Sequence, residues 1–506
     1  MVKSEKEQYK RTLESLIILC SRIADIGEES MRTQALTNCQ EAAIVLGEKL
    51  EGCTNPIDVR AIEEYRIIKK IEDFCEQVYQ CSQDFNAHNV VVLKSLAAEL
   101  SVLLDNIPRT YRVVFLPYKA AMWDSLESIW RCFAADERCE TSVVPIPYFE
   151  ANRQLNQWDT CYDGYKYPED VPVVYFQDYL LGDKKPDLVF VHNPFDQHNH
   201  VTTVHPAYYS QEIKKHCKKM VYVPYYVNPG FLSDDYNELP LLYRADYIVL
   251  QSEKMKETCR QYPYYNRVLP FGSPKFDKVI QLNNAKAAPP KEWNIDMTGR
   301  KKILLNTTLT DFLESGEQLM AKLHRFFEKT ASMKEIVIIW RPHPLLAGTV
   351  KAMRPQFIEQ YQQLIDYFNE NQVGVLDETA DISRAVAATD AYVGSHYSSI
   401  MGLYVVCNKP VFCFDSKVIF EPENEPDRKR ARAEDVFIMR HELSFFAGYE
   451  SMEYTFEDFA EDLVGEKLGK VLENQRIAEE GISNNLDGTC GIKVYEYLMN
   501  ELIQND

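Results

Sequence analysis

Ile336-Val337-Ile338-Ile339-Trp340-Arg341-Pro342-His343-Pro344 is an apolar run that ends in a cation, an imidazole and two prolines. The run reads as a buried strand. Pro342 and Pro344 forbid helix and fix the turn behind it. Arg341 and His343 are thereby held on a stiff loop at the strand's end. In an open α/β sheet, residues just past strand C-termini line the ligand crevice. About fifty residues later, His396-Tyr397-Ser398-Ser399 follows a second short apolar run, Ala391-Tyr392-Val393. The apolar stretch from Ile400 to Tyr404 puts Ser398 and Ser399 at a helix N-terminus, where free N–H groups favour an anion. Arg supplies a planar fork for phosphate oxygens. Together these residues predict a phosphate site. The structural alternatives are a buried Arg–carboxylate pair beside a satisfied His, and an ordinary serine cap.

Outward from this stretch, strand-like and helix-like segments alternate: Ile303–Leu305, a helix over 315–332, Ile336–Trp340, a helix over 351–370, Val373–Leu376, a helix over 381–388, Ala391–Val393 and Val411–Phe414. The same alternation occupies an earlier stretch, through Arg112–Leu116, Thr141–Pro145, Asp187–His192, Met220–Val223, Tyr247–Leu250 and Arg267–Leu269. Such alternation indicates βαβ units and a parallel sheet. Residues 279–300, with Asn283-Asn284, Pro289-Pro290 and Thr298-Gly299, read as a break. Before Ile107 the pattern is helical throughout. Leu13, Leu16, Ile17, Cys20 and Ile23 share one face, and Leu93, Leu96, Ala97, Leu100 and Leu103 another. The expected organisation is a helical N-terminal domain (1–105), a first Rossmann-like domain on the acceptor side (106–285), a second on the nucleotide-donor side (286–475), and a helical tail (476–506).

Among 506 residues the net charge is −20, which argues against a nucleic-acid binder. Two local basic clusters stand out, Lys214-Lys215-His216-Cys217-Lys218-Lys219 and Arg428 to Arg432; clusters of this size read either as solvated faces or as contacts for anionic lipid. The 13 cysteines are scattered, without zinc spacing, and read as reduced thiols. The charged N-terminus lacks a signal-peptide core, and no membrane-spanning helix is expected. A cytoplasmic location follows, with peripheral contact at the inner membrane face as the further expectation.

Five of the 10 histidines fall between His192 and His216. His192 ends a predicted strand of the first domain, and His192 or His205 is a candidate general base, because imidazole titrates near neutral pH. His198 and His200 lack the companions a metal site needs, so no metal is expected. Phe271-Gly272-Ser273-Pro274-Lys275-Phe276-Asp277 offers Gly272 and Ser273 for close backbone approach to a ligand, or an ordinary turn. Asp381 and His396 complete the cleft candidates.

Gly272 through Asp277, Arg341-Pro342-His343-Pro344, Asp381 through Tyr397-Ser398-Ser399, and Lys409-Pro410-Val411-Phe412 stand in the order and spacing of a known family. Over about residues 190–415 the chain resembles the CDP-glycerol glycerophosphotransferases, which build poly(glycerol phosphate) of teichoic acids and related capsules. The resemblance implies a GT-B fold, two Rossmann-like domains facing a cleft. It also implies that His343, Ser398 and Ser399 contact the diphosphate of a CDP-linked donor; Arg341 joins them as a donor-phosphate candidate on its own chemistry, and no cofactor beyond that substrate is expected. Family members carry a Trp-His-Gly motif whose His serves as base. The corresponding Val221-Tyr222-Val223-Pro224-Tyr225-Tyr226-Val227 holds no His, His396 replaces the usual Asp, and Lys275 stands where Arg is common.

The expected activity is transfer of glycerol phosphate, or a similar polyol phosphate, from a CDP-activated donor to a hydroxyl of a polymer or lipid-linked precursor of cell wall or capsule. His192, His205 and His343 are the catalytic candidates. A nucleotide-sugar transferase of the same fold and a catalytically silent binding protein are the alternatives.

Overall fold

The structure, a computed structural model, describes residues 1–51, 59–152, 155–199, 201–227, 234–379, 381–395, 398–413, 448–449, 455–469, 472 and 483–504. The chain divides into two compact units, one comprising 1–112 with 136–140 and the other 113–135 with 141–506.

The first unit is built on four helices, α1 (Lys3–Arg22), α2 (Glu29–Glu51), α3 (Val59–Gln83) and α4 (Ala87–Asn106). Each packs on its chain neighbour, and α1 also packs on α4. The helical spacing read in the sequence is the buried stripe: Leu13, Leu16, Cys20 and Ile23 meet Leu93, Ala97, Leu100 and Leu104 in one core. Helix α4 is capped by Asn86, whose side chain accepts from Asn89 N. At 20 residues, with a mean hydropathy of 1.4 over its best 18-residue window, it is long and apolar enough to cross a membrane by length and composition alone. Its apolar face nevertheless lies in the bundle core.

The second unit carries two parallel sheets. In the first, β1 (Tyr111–Leu116), β2 (Cys139–Val143), β5 (Leu188–Val191), β7 (Lys219–Tyr222), β8 (Tyr247–Val249) and β9 (Val268–Leu269) lie in the order β2-β1-β5-β7-β8-β9. A separate antiparallel sheet joins β3 (Tyr148–Asn152), β4 (Gln157–Cys161) and β6 (Thr202–Val204). In the second parallel sheet, β10 (Lys301–Thr307), β11 (Ile336–Pro342), β12 (Gly374–Leu376), β13 (Ala391–Gly394), β14 (Val411–Cys413) and β15 (Gly448–Tyr449) lie in the order β12-β11-β10-β13-β14-β15. This is the doubly wound order, reversing between β10 and β13. The runs Leu188–Val191 and Ile336–Arg341 are buried along their whole length, as strands covered on both faces must be.

Each sheet has its own core, and a third cluster joins the second sheet to the helix that follows β9. In that third cluster Phe276, Val279 and Ile280 of the helix Pro274–Asn284 pack with Leu304, Ile339, Tyr392 and Tyr404. The predicted break at 279–300 is therefore corrected at its start: the helix runs to Asn284 because Val279 and Ile280 face this shared core. The carboxyl edges of the two sheets also meet. Val227, beyond β7, lies 3.0 Å from the place a Cβ on Gly402 would occupy, and Gly402 lies in the helix Ile400–Val406 that follows β13. At the C-terminus, the helix Phe456–Val464 packs into the second sheet's core. The helix Cys490–Gln504 returns to α5 (Glu127–Ala134) and to Pro274–Asn284.

Candidate functional site

The register of the second sheet brings the two sequence motifs to one edge. Asn306 of β10 pairs with Arg341 on one side and Gly394 on the other. The loops that leave β11 and β13 therefore flank the loop that leaves β10, at the point where strand order reverses. His343 N donates to Thr307 O at 2.9 Å, which pins the Pro342–Pro344 turn against that central strand.

His343 is partly buried, and Leu345 N donates to its Nδ1 at 3.2 Å. The ring's proton then sits on Nε2, which becomes a donor. Burial lowers its pKa, so the ring is neutral at neutral pH. Ser398 Oγ accepts from Ile400 N at 3.2 Å and caps the helix Ile400–Val406, while Ser399 is exposed and makes no cap bond. A neutral N–H donor and an exposed hydroxyl at one sheet edge suit an anionic oxygen.

Arg341 takes the structural alternative. Its guanidinium meets Asp377 Oδ2 at 2.5 Å, Thr379 Oγ1 at 3.3 Å and Thr379 O at 2.6 Å, and the side chain is 10% exposed. The reading of Arg341 as a phosphate ligand is therefore corrected: its fork is spent on the loop after β12. Asp377 is itself held by Trp293 Nε1 at 3.0 Å and by Thr379 Oγ1 at 2.7 Å. Asp377 and Thr379 went unnoticed in the sequence, although Asp377 also stands directly behind a strand. A second overlooked group joins the loops after β10 and β13. Thr308 Oγ1 donates to Asp311 Oδ2 at 2.7 Å and caps the next helix, and Ser395 Oγ donates to Asp311 Oδ1 at 3.2 Å. The spacing Thr-x-x-Asp was a legible capping signal.

The first sheet's edge is closed where an acceptor base was sought. His192 is 0% exposed. Tyr118 N donates to its Nε2 at 3.1 Å, and its Nδ1 lies 3.0 Å from Ser125 Oγ, whose own proton goes to Met122 O at 2.7 Å. The ring is thus the Nδ1–H tautomer with both nitrogens used. Burial, with the charge of Lys275 adding to it, pushes its pKa down to about 3. The assignment of His192 as general base is corrected, because neither nitrogen can reach a substrate. It is a buried pin between the loops that leave β1 and β5. His205 is partly exposed and caps the turn Pro206–Tyr208, accepting from Ala207 N at 3.2 Å.

Val221–Val227 supplies part of a tyrosine cluster. Tyr118, Tyr225, Tyr226 and Tyr236 pack edge-to-face with centroids 5.3–6.1 Å apart. The Tyr222 and Tyr236 hydroxyls share a hydrogen bond. Burial raises the pKa of all five phenols.

Gly272 and Ser273 line a hole of about 10 Å³, room for one water. Gly272 has φ +105° and would place a Cβ 3.0 Å from that of Asn485. Asn484 bonds Gln251 and Pro270, and Asp277 accepts from Ser128 Oγ, Cys490 N and Gly491 N at 2.7–2.9 Å. The motif is a socket for the returning C-terminal segment. Lys275 pairs with Asp124 at 3.1 Å. Asp381 caps the helix Ile382–Ala388 and lies 3.9 Å from Lys278. Lys409 closes the other end of that helix through Val386, Ala387 and Thr389 carbonyls; burial lowers its pKa to about 8. His396 lies outside the described residues, as do His200 and the cluster Arg428 to Arg432. In the other basic cluster, Lys214, Lys215, Lys218 and Lys219 each pair with Asp or Glu, which cancels much of its field. Among the described residues no group of three or more His, Cys, Asp or Glu is placed to hold a metal.

Residues 225–418 match the CDP-Glycerol:Poly(glycerophosphate) glycerophosphotransferase family. A sequence comparison with curated proteins gives no match. Among solved structures, the wall teichoic acid polymerase TagF is similar at 12% identity, with TM-score 0.49, over 89% of this chain and 100% of that one. A co-structure of MnaA from S. aureus with UDP is similar at 12% identity, with TM-score 0.45, over 78% and 97%. A putative UDP-N-acetylglucosamine 2-epimerase from Listeria monocytogenes is similar at 12% identity, with TM-score 0.47, over 78% and 98%.

Proposed function

We propose that this chain, whose residues 225–418 match a glycerophosphotransferase family, moves glycerol phosphate or a similar polyol phosphate from a CDP-linked donor to an acceptor hydroxyl. The observation that carries the reading is the second sheet's edge. There the neutral His343 Nε2–H and the Ser398–Ser399 turn flank the reversal point, supported from behind by the Arg341–Asp377 pair. In the reaction the acceptor oxygen attacks the donor's β-phosphorus. The bond from that phosphorus to the bridging oxygen breaks, and CMP departs with the electron pair. His343 and Ser399 donate to oxygens on which charge develops. The acceptor's proton passes to a base other than His192; of the two first-domain candidates, His205 keeps a solvent-reachable ring. The acceptor class is a polymer or lipid-linked precursor of cell wall or capsule, met at the inner face of a membrane.

The test is CMP release from CDP-glycerol by the purified chain, with CDP-ribitol and UDP-linked sugars as competing donors. Release of UDP from the UDP-sugars, with no CMP from either CDP-linked donor, would overturn the reading. A second reading, a CDP-glycerol binder without turnover, draws on the sealed His192 and the histidine-free Val221–Val227. Calorimetric binding of CDP-glycerol with no CMP released under any acceptor would establish it.

A further inference from the structure

We propose that Cys20 and Cys39 are an oxidation site, at which hydrogen peroxide converts two thiols to a disulfide that clamps α1 to α2 in the helical unit. The inference stands apart from the transfer reading. The two Sγ atoms lie 4.0 Å apart. Cys20 belongs to α1 and Cys39 to α2, and both are 0% exposed in the bundle core. A disulfide bond is about 2 Å long, so the sulfurs close the gap by approaching about 2 Å.

The surroundings of the pair give each sulfur a role. The Cys20 thiol donates to Cys39, and that bond lowers the Cys39 pKa while it holds Cys20 protonated. The thiolate is the nucleophile, so Cys39 attacks and Cys20 resolves. Cys20 stands two residues before the end of α1 at Arg22. Helix ends open at low cost in free energy, which gives a molecule as small as peroxide its route to the pair. The other end of α1 is tied down. Lys6 Nζ donates to the Asp105 and Ile107 carbonyls at 2.9 and 2.8 Å, and Lys10 pairs with Asp105 at 2.5 Å. Of the four helix contacts in the bundle, that of α1 with α2 is the least extensive. A bond between Cys20 and Cys39 therefore closes the bundle where packing closes it least.

The chemistry balances with peroxide as the oxidant. The Cys39 thiolate attacks one peroxide oxygen, the O–O bond breaks, and Cys39 becomes a sulfenic acid as hydroxide leaves. The Cys20 sulfur then attacks the Cys39 sulfur. The S–O bond breaks, and the oxygen departs as water with the Cys20 proton. Hydroxide takes up the proton that Cys39 first gave away. Two thiols and one peroxide thus yield one disulfide and two waters, and a dithiol reductant returns both thiols.

The test treats the full, reduced chain with hydrogen peroxide, alkylates the remaining thiols and digests with trypsin. Cys20 and Cys39 fall on separate peptides, 12–22 and 33–49, while Cys75 and Cys81 share a third, 71–94. The expected product is 12–22 joined to 33–49 and released by dithiothreitol. Amide exchange across α1 and α2 is expected to slow about tenfold or more in the linked chain, because the bond removes openings in which the two helices part. Cys81→Ala is expected to keep the link and Cys39→Ala to lose it; if Cys39→Ala fails to fold, the wild-type digest decides. Thiols that both remain open to alkylation, a Cys39 carried on to sulfinic acid without a link, or a link from 33–49 to 71–94 instead overturns the inference. Unchanged exchange in the linked chain overturns the clamp.

Discussion

Among the described residues two histidines stand behind strands of parallel sheets, and they have opposite fates. His343 follows β11 and keeps one nitrogen as a donor; His192 follows β5 and spends both nitrogens inside the protein. The difference lies in what comes next in the chain. Behind β11, Pro342 and Pro344 force a turn whose backbone bonds to Thr307, so the ring stays at the surface of the edge. Behind β5 the chain runs on beneath Tyr118 and Tyr225, whose rings sit 5.3 and 5.9 Å from the imidazole and close it in. A histidine past a strand is thus a ligand group only where the loop holds it out. The same contrast separates Arg341 from His343, two residues apart: the arginine turns back into the sheet and the histidine does not.

The strongest way to break this contrast is Asp377→Ala. It would strand the Arg341 charge in a buried site, at a cost of about 3–5 kcal/mol. Urea denaturation reads the loss directly. The double variant Arg341→Met with Asp377→Leu should recover most of it, because a packed apolar pair often replaces a buried ion pair without cost. Failure to recover would mean that Arg341 contributes more than support, and would reopen its role as a phosphate ligand.

Next in size is His343→Ala, which should slow CMP release from CDP-glycerol by about 10²–10³ while leaving the denaturation midpoint nearly unchanged. Loss of stability without loss of rate would put His343 in the same class as His192.

The acid limb of stability tests His192. Its folded pKa of about 3 lies below the ordinary histidine value of 6.5, so the unfolded chain binds more protons between these two values. The contribution of His192 is fully present above pH 6.5 and is lost as pH falls towards 3, at up to about 1.4 kcal/mol per pH unit. His192→Gln should flatten this limb at the expense of midpoint stability at neutral pH. An unchanged limb would show that the ring is not held neutral.

The architecture was legible in the sequence because it rests on periodicity. The alternation around Ile336–Trp340 and Leu188–Val191 gave both sheets, and the heptad-like stripe from Leu13 to Ile23 gave the first bundle helix. The candidate site was legible only as a set of residues near strand ends. Which of them reach outward is a tertiary fact. Arg341 turns inward because Asp377, 36 positions away, waits there, and Gly272 serves the tail because Ser483 and Asn485 return to it from over two hundred residues downstream. Strand spacing carries no trace of such pairings. The break placed at 279–300 starts six residues late in the structure, at 285, for a related reason. Asn283-Asn284 is turn chemistry, yet Val279 and Ile280 had a shared core to enter, and burial kept the helix going.

The smallest expected effect divides a single dipeptide. Ser398 Oγ accepts from Ile400 N, so Ser398→Ala removes a helix cap and should cost about 1 kcal/mol of stability. Ser399 is exposed and caps nothing, so Ser399→Ala should leave stability within about 0.5 kcal/mol. If Ser399 donates to the donor's phosphate, its loss appears instead as a weaker KM for CDP-glycerol, by about tenfold for one hydrogen bond to a charged group. Rate measurements on both variants at matched folded fraction separate the two serines. A Ser399→Ala chain with unaltered KM would leave His343 as the single outward side-chain donor among His343, Ser398 and Ser399. The binding of the diphosphate would then have to rest on backbone N–H groups at the start of Ile400–Val406, and the contrast between the two sheet edges would narrow to one imidazole.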